Sequence, residues 1–523
     1  MYMNFKKTVS VLAITTSLTL VACSEAETPL NTNPYRAQGV IAGTLPEIIA
    51  SLDAGEVTSE QLVGLYLKRI ASMNTSGPEL RAVLSINPNL VKEAIAADKL
   101  RREGSVLGPL HGVPILLKDN IETKDDLPTT AGSYALKDNY TGRDSPLVAG
   151  LRAQGAIILG KSNLSQWANF RSESSNSGWS ALGGQVKNPH VMDRSPCGSS
   201  SGSGAGMAAS FAAATVGTET DGSVICPSSV NGIVGFKPTV GLVPQDYIVP
   251  ISVSQDTAGP MTKSVEGAAI MMDAMTQGRG NFVAALSASS LKGVRLGVLR
   301  VDVGEDAEVA ALYDAAIKNL EAAGATIVEV GQADMLQSFG EFSYDLLQYE
   351  FKDGLNSYLA STPKAVTART LSDLIKFNKA YEEIELKVFD QSIFVKSNKK
   401  GPLTDQAYID GKVSTQSDAR AGVIDKLLSE YDLGALVSLF GAYGPLVTPG
   451  EGENWENYPS MGSVAAIAGY PHITVPMGTV NDFPFGLSLI GTAGSDETIV
   501  SYGYAYEQRS QKRAKPAYKR TIE

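Results

Sequence analysis

The 33 residues from Ser195 to Pro227, SPCGSSSGSGAGMAASFAAATVGTETDGSVICP, carry almost no side-chain bulk, and Glu219 and Asp221 are their only charges. So slim and sparsely charged a stretch has to be packed against other chain. It opens with a Gly/Ser loop, Cys197 to Gly204, and its Ala-rich middle predicts a buried helix. It ends in a second Gly-containing turn, Gly217 to Ser223. Two such turns, each presenting serine and joined by one helix, let backbone N–H groups and hydroxyls converge with little steric obstruction. A single Gly/Ser run is usually no more than a flexible connection.

What separates this case from a flexible connection is the second turn and a lysine some eighty residues earlier. In Gly112-Val113-Pro114-Ile115-Leu116-Leu117-Lys118-Asp119-Asn120 a charge ends an apolar run that reads as a buried strand. Burial among such neighbours drives a lysine toward its neutral form, by roughly 3–5 pH units from about 10.4. A neutral lysine is a base. The alternative is an internal ion pair of Lys118 with Asp119 or Glu219, and Ser199 could equally cap the helix that follows it.

Along the chain, strands and helices alternate as in an α/β layered core. Thr58 with Gln61 three residues on starts a helix whose apolar face is Leu62, Leu65, Tyr66, Ile70 and Met73. Asn87-Pro88 predicts a second helix start and Ser145-Pro146 a third, followed by a strand from Ala156 to Leu159. Gln277 to Ser290 reads as an internal linker, and residues 339–430 as a helical insertion. The run Gly155-Ala156-Ile157-Ile158-Leu159-Gly160-Lys161-Ser162 fits a phosphate-binding loop letter for letter. Ala-Ile-Ile-Leu is the inside of a strand, however, and cannot open around a phosphate.

The 523 residues are 43% hydrophobic and 19% charged, which is globular, and the net charge of −11 argues against a nucleic-acid surface. His111, His190 and His472 are the only histidines, and none pair at metal-ligand spacing. No metal or cofactor is expected. Three cysteines are too few for a disulfide framework. Cys197 and Cys226 read as small buried residues, in preference to a disulfide or a second nucleophile.

Lys6 and Lys7 precede an apolar and Thr/Ser run, Val9 to Val21, too short to span a bilayer. Residues 1–22 thus read as an export signal. Leu20-Val21-Ala22-Cys23 resembles a bacterial lipobox, which implies lipid attachment at Cys23, a tether over 23–40 and a cell-envelope location, with a soluble secreted form as the alternative.

Cys197-Gly198-Ser199-Ser200-Ser201-Gly202-Ser203, Gly217-Thr218-Glu219-Thr220-Asp221-Gly222-Ser223 and the Lys118 strand together resemble the amidase signature family, from about Leu45 to Gln508. The Glu219–Ser223, Asn163–Arg171 and Ser254–Pro260 runs are most similar to its peptide-amidase branch. The resemblance implies one continuous domain over 41–523, a central mixed sheet covered by helices on both faces, and amide hydrolysis without a cofactor. It implies Ser223 as nucleophile, Ser199 as proton relay behind a cis bond from Gly198, and Lys118 as base. Thr220, Asp221, Gly222 and Ser223 would form the oxyanion hole, with Ser200, Ser203, Asp119 and Asn169 in support. The substrate implied is a peptide or amino-acid amide, with no obligate protein partner and membrane contact only through the anchor. Aryl or aliphatic amides are the alternative, and a non-catalytic ligand-binding lipoprotein a remote one. Cys197, Ser201 and Asp221 stand where the general family pattern has glycine. Ser438-Leu439-Phe440-Gly441-Ala442 lacks the Pro-Thr pair many members carry beside the acyl pocket.

Overall fold

The computed structural model describes residues 39–300, 306–332, 342–440, 443–453 and 462–522. The signal segment and Cys23 therefore lie outside the described residues. The strands are β1 (Val83–Ile86), β2 (Pro114–Lys118), β3 (Ile157–Ser162), β4 (Trp179–Ser180), β5 (Gly184–Gln185), β6 (Ala214–Glu219) and β7 (Val234–Lys237). They continue with β8 (Thr257–Thr262), β9 (Arg295–Arg300), β10 (Thr326–Gln332), β11 (Ala435–Phe440), β12 (His472–Val480) and β13 (Phe483–Ile490). Eleven of them make one mixed sheet in the order β1-β3-β2-β6-β8-β7-β12-β13-β11-β9-β10, flanked by helices, while β4 and β5 form a separate ribbon.

Local sequence explains much of this. Every residue of β2, PILLK, is buried, as an apolar run in the parallel part of a sheet must be. The Gly155–Ser162 run is the turn into β3 and β3 itself, so it is a strand and no phosphate loop. The helix Ser59–Met73 starts on a reciprocal capping box: the Gln61 N–H donates to Thr58 Oγ1 (3.1 Å), and the Thr58 N–H donates to Gln61 Oε1 (3.0 Å).

Three expectations are corrected. The Ala-rich middle is not one helix. The helix Ser201–Ala208 stops, and Ala214–Glu219 runs on as β6 between β2 and β8. The slot between two strands overrides the helical preference of alanine, so Gly217 to Glu219 are strand and not turn. The helix after Asn87 begins at Leu90, because Asn87 Oδ1 accepts the Asn89 N–H (2.9 Å) in a turn of its own. The expected linker near 277–290 contains a short helix, Phe282–Ala285, whose Phe282 is fully buried edge-on to Phe236 (6.0 Å).

Between β10 and β11 lie the helices Ser343–Ala360, Leu371–Ala380, Glu382–Glu385, Ser392–Asn398, Gln406–Ala419 and Asp425–Glu430. Phe351, Leu355, Leu371, Leu374 and Phe394 from this insertion form a core of their own with Trp167 and Phe170. The parallel strands β2 and β6 end at Lys118 and Glu219, side by side, which is where open α/β sheets place their ligands.

Candidate active site

Lys118, the last residue of β2, is fully buried. Its Nζ lies 2.7 Å from Ser199 Oγ, 2.8 Å from Thr218 Oγ1 and 3.1 Å from the Thr218 carbonyl. Asn120 Nδ2 donates to the same Thr218 hydroxyl (2.9 Å). Burial pushes the lysine down from 10.5 to about 7, with Asp256 and Glu219 acting the other way. No carboxylate is paired with it among the described residues. Asp119, the first residue of the turn after β2, makes its contacts elsewhere. It accepts the Thr130 N–H (3.2 Å) and the Thr130 hydroxyl, and lies 4.0 Å from Lys161. Asp119 is thus not brought to the Lys118 cluster.

The peptide bond Gly198–Ser199 is cis. A Cβ on Gly198 would fall 2.2 Å from Ser165 Oγ, so only glycine fits. Ser200 Oγ donates to the Thr218 carbonyl (3.0 Å) and accepts the Thr218 N–H (3.2 Å). Ser203 Oγ donates to the Val216 carbonyl (3.0 Å) and pairs with Ser162 Oγ (2.8 Å). Ser200 and Ser203 therefore fasten the serine loop to β6 and β3 without touching Lys118.

Ser223 sits where β6 gives way to the short helix Ile225–Val230, and Gly222 before it is left-handed (φ 74°). The Ser200 N–H donates to the Ser223 carbonyl (3.2 Å), joining the two serine segments backbone to backbone. The buried Glu219 carboxylate organises this turn by accepting the Val224 and Ile225 N–H groups (2.7 and 2.9 Å) and interacting with the Gly222 N–H. Gly222 is therefore already engaged, whereas the N–H groups of Asp221 and Ser223 have no protein acceptor among the described residues. Thr220 Oγ1 donates to Asp256 Oδ1 (2.6 Å), and Asp256 Oδ2 accepts the Ile251 and Ser252 N–H groups (2.8 and 2.9 Å).

Cys197 and Cys226 are joined in a disulfide, which corrects the reading of two separate small residues. They are 29 residues apart, and the turn that brings them together is a matter of tertiary folding. The bond ties the loop ahead of Ser199 to the helix behind Ser223. All three histidines are buried and bonded elsewhere: His111 to the Ala97 carbonyl, His190 to that of Asn231, and His472 to Ser488 Oγ.

A cleft of about 480 Å³ opens over these segments. Gly198, Gly222 and the disulfide line it, together with Asn169, Tyr344, Ile393, Phe440 and Asp221. Residues 61–500 match the amidase family. The chain belongs to that family. A solved structure of peptide amidase from Stenotrophomonas maltophilia superimposes with a TM-score of 0.84 at 42% identity, covering 91% of this chain and 98% of that one. A peptide amidase in complex with the competitive inhibitor chymostatin gives 0.86 at 43% identity, covering 90% and 98%. A probable amidase of Arabidopsis thaliana is 35% identical over 498 residues, 91% of each chain.

This amidase keeps one wall of its cleft in a strained turn. Trp167, Ala168 and Asn169 all have positive φ (52°, 53° and 68°), at about 1–2 kcal/mol per residue. The helical insertion holds them there. Glu385, fully buried, accepts the Ser133 hydroxyl (2.8 Å), the Tyr134 N–H (2.6 Å) and Gln166 Nε2. Arg171 donates to the carbonyls of Glu385 (2.5 Å) and Phe389 (3.1 Å), with its guanidinium 4.2 Å from the Phe389 ring centroid. Asn169 reaches the cleft, and its Nδ2 donates to Ser177 Oγ (3.1 Å). Trp167 and Arg171 face the insertion instead. Sequence reasoning missed Thr218, Glu385 and the positioning role of Glu219. Only Glu219 left a signal, as a carboxylate among residues otherwise chosen for smallness.

Proposed function

We propose that this amidase hydrolyses primary carboxamides at the C-termini of peptides or amino acids through an acyl-enzyme on Ser223. The observation that carries the reading is Lys118 Nζ 2.7 Å from Ser199 Oγ in a site that holds the amine near neutrality. A neutral amine has two hydrogens and one lone pair. Thr218 Oγ1 and the Thr218 carbonyl accept the two hydrogens, which leaves the lone pair for the Ser199 hydroxyl proton. Ser199 then takes the proton of Ser223 as Ser223 attacks the amide carbon. The oxyanion meets the N–H groups of Asp221 and Ser223. Returning the proton through Ser199 to the amide nitrogen releases ammonia. Water, deprotonated along the same route, cleaves the ester to the carboxylic acid and restores Ser223.

Asp221 stands on the cleft wall, where Ser463 Oγ donates to its Oδ1 (2.9 Å). In this reading Asp221 accepts a hydrogen bond from the leaving NH₂. The similarity to peptide amidases at 42–43% identity supports a peptide substrate. Release of the leaving amine tests it: ammonia from peptide amides, methylamine from their N-methylamides and aniline from their anilides. Primary amides should be hydrolysed at least tenfold faster than N-methylamides, because one donor is lost and an unpaired acceptor costs about 1–3 kcal/mol. Equal rates on anilides would favour the aryl-amide alternative.

The same proposal places the enzyme outside the cytoplasm, lipid-anchored through Cys23. The Cys197–Cys226 disulfide supports export, since such bonds persist in oxidising compartments.

A further inference from the structure

We infer that the Cys197–Cys226 disulfide is a positioning device for catalysis, and that its oxidation state sets the turnover rate. Cys197 lies two residues before Ser199, and Cys226 three residues after Ser223, so one covalent bond closes the frame that holds both hydroxyls. Cys197 occupies a left-handed backbone conformation (φ 53°) that glycine adopts without strain. A cysteine where the backbone suits glycine brings one thing glycine lacks, the sulfur, and here that sulfur is bonded across the site.

The backbone around the bond is firmly held. The Cys197 N–H donates to Ser195 Oγ (3.0 Å), Ser201 Oγ donates to the Cys197 carbonyl (2.5 Å), and the Cys226 N–H donates to the Gly222 carbonyl (2.8 Å). Ser200 bridges the serine loop to Thr218 and to the Ser223 carbonyl independently of sulfur. Breaking the disulfide therefore leaves both segments folded and joined through Ser200, with one covalent constraint fewer on how the two hydroxyls face each other. Small misplacements of reacting groups cost rate well before they cost stability.

Both cysteines line the cleft and keep 6% of their surface exposed, so a small dithiol can reach them by the substrate's own route. Its thiolate attacks one sulfur, the protein S–S bond breaks, and the second thiol resolves the mixed disulfide. The dithiol supplies two electrons and two protons and leaves as its cyclic disulfide. Both cysteines end as thiols.

The inference rests on Ser199 and Ser223 being the reacting pair. Failure of that assignment shows as turnover retained in Ser223→Ala. Failure of the present one shows as oxidised and reduced enzymes turning over alike. The test treats the full-length enzyme with dithiothreitol, counts thiols, and measures kcat, KM and circular dichroism together. Reduction should add two thiols and lower kcat at least tenfold. KM should stay within twofold and the fold should persist at the assay temperature, and reoxidation should restore the rate. The Cys197→Gly/Cys226→Ala double variant, free of both the bond and the backbone strain, should match the reduced enzyme and ignore dithiothreitol. An unchanged kcat with two added thiols overturns the inference. So does a loss of rate that only follows unfolding, or a native enzyme whose thiol count does not rise on reduction.

Discussion

Replacing Lys118 by methionine keeps the bulk of the side chain and removes its one titratable group, so the consequences can be worked through. In the unfolded chain the amine has its ordinary value of 10.5, and in the native site burial brings it to about 7. Folding therefore expels a proton from Lys118 wherever the pH lies between about 7 and 10.5. The native state binds fewer protons than the unfolded state in that window, so stability rises with pH across it. The full burden of keeping the lysine buried, about 5 kcal/mol at 1.36 kcal/mol per pH unit, is present below pH 7 and gone above 10.5. From pH 6 to pH 9 the wild type should gain roughly 2.5 kcal/mol from this residue alone, and Lys118→Met none of it. The variant also leaves Ser199 Oγ without its partner, at about 1–3 kcal/mol, while the Thr218 oxygens keep Asn120 and Ser200; that loss does not depend on pH. Contributions of other buried groups such as Lys237 and Lys263 are common to both proteins and cancel in the difference. Urea denaturation of both proteins at pH 6, 7.5 and 9 gives the comparison. In parallel, kcat/KM of the wild type should rise with pH through about 7, and the variant should lose several orders of magnitude in rate along with that limb. Parallel stability curves, or an acid limb that survives at the same pH in Lys118→Met, would refute a neutral lysine base.

Three further outcomes are expected. Gly198→Ala puts a Cβ 2.2 Å from Ser165 Oγ and should cut kcat at least a hundredfold, as read by ammonia release, with circular dichroism checking the fold. Glu385→Ala removes the carboxylate beside the fully buried Arg171 (3.4 Å) and should lower stability by about 3–5 kcal/mol in urea titrations, whereas Glu385→Gln should lose less. Cys23→Ala should abolish incorporation of labelled palmitate, and an unaltered label would remove the lipid anchor from the account.

What was legible in the sequence was whatever local chemistry determines. The Thr58–Gln61 cap and the apolar run of β2 that ends in Lys118 are encoded within a few residues, and so is the strand hidden in the phosphate-loop pattern. The two serine segments and Lys118 could be found because small residues and a lysine at the end of an apolar run are unusual in themselves. What could not be read depends on partners distant in sequence. Alanines 212–214 leave the helical pattern because a slot between β2 and β8 is waiting. Glu385 meets Gln166 across 219 residues, and nothing local marks it as the clasp of a strained turn. The disulfide depends on a left-handed Cys197 that no composition rule would favour. Asp119 likewise depends on a later partner: it stands in the turn after β2, and its bond to Thr130 draws it away from Lys118.

In the proposed reaction Ser223 carries the acyl group while Ser199 and Lys118 move the proton. Labelling the enzyme with a fluorophosphonate and mapping the adduct by peptide mass spectrometry tests it most directly. A single adduct at residue 223 is expected in the wild type, and neither adduct nor ammonia release from Ser223→Ala. An adduct on Ser199, or turnover that persists in Ser223→Ala, would contradict it.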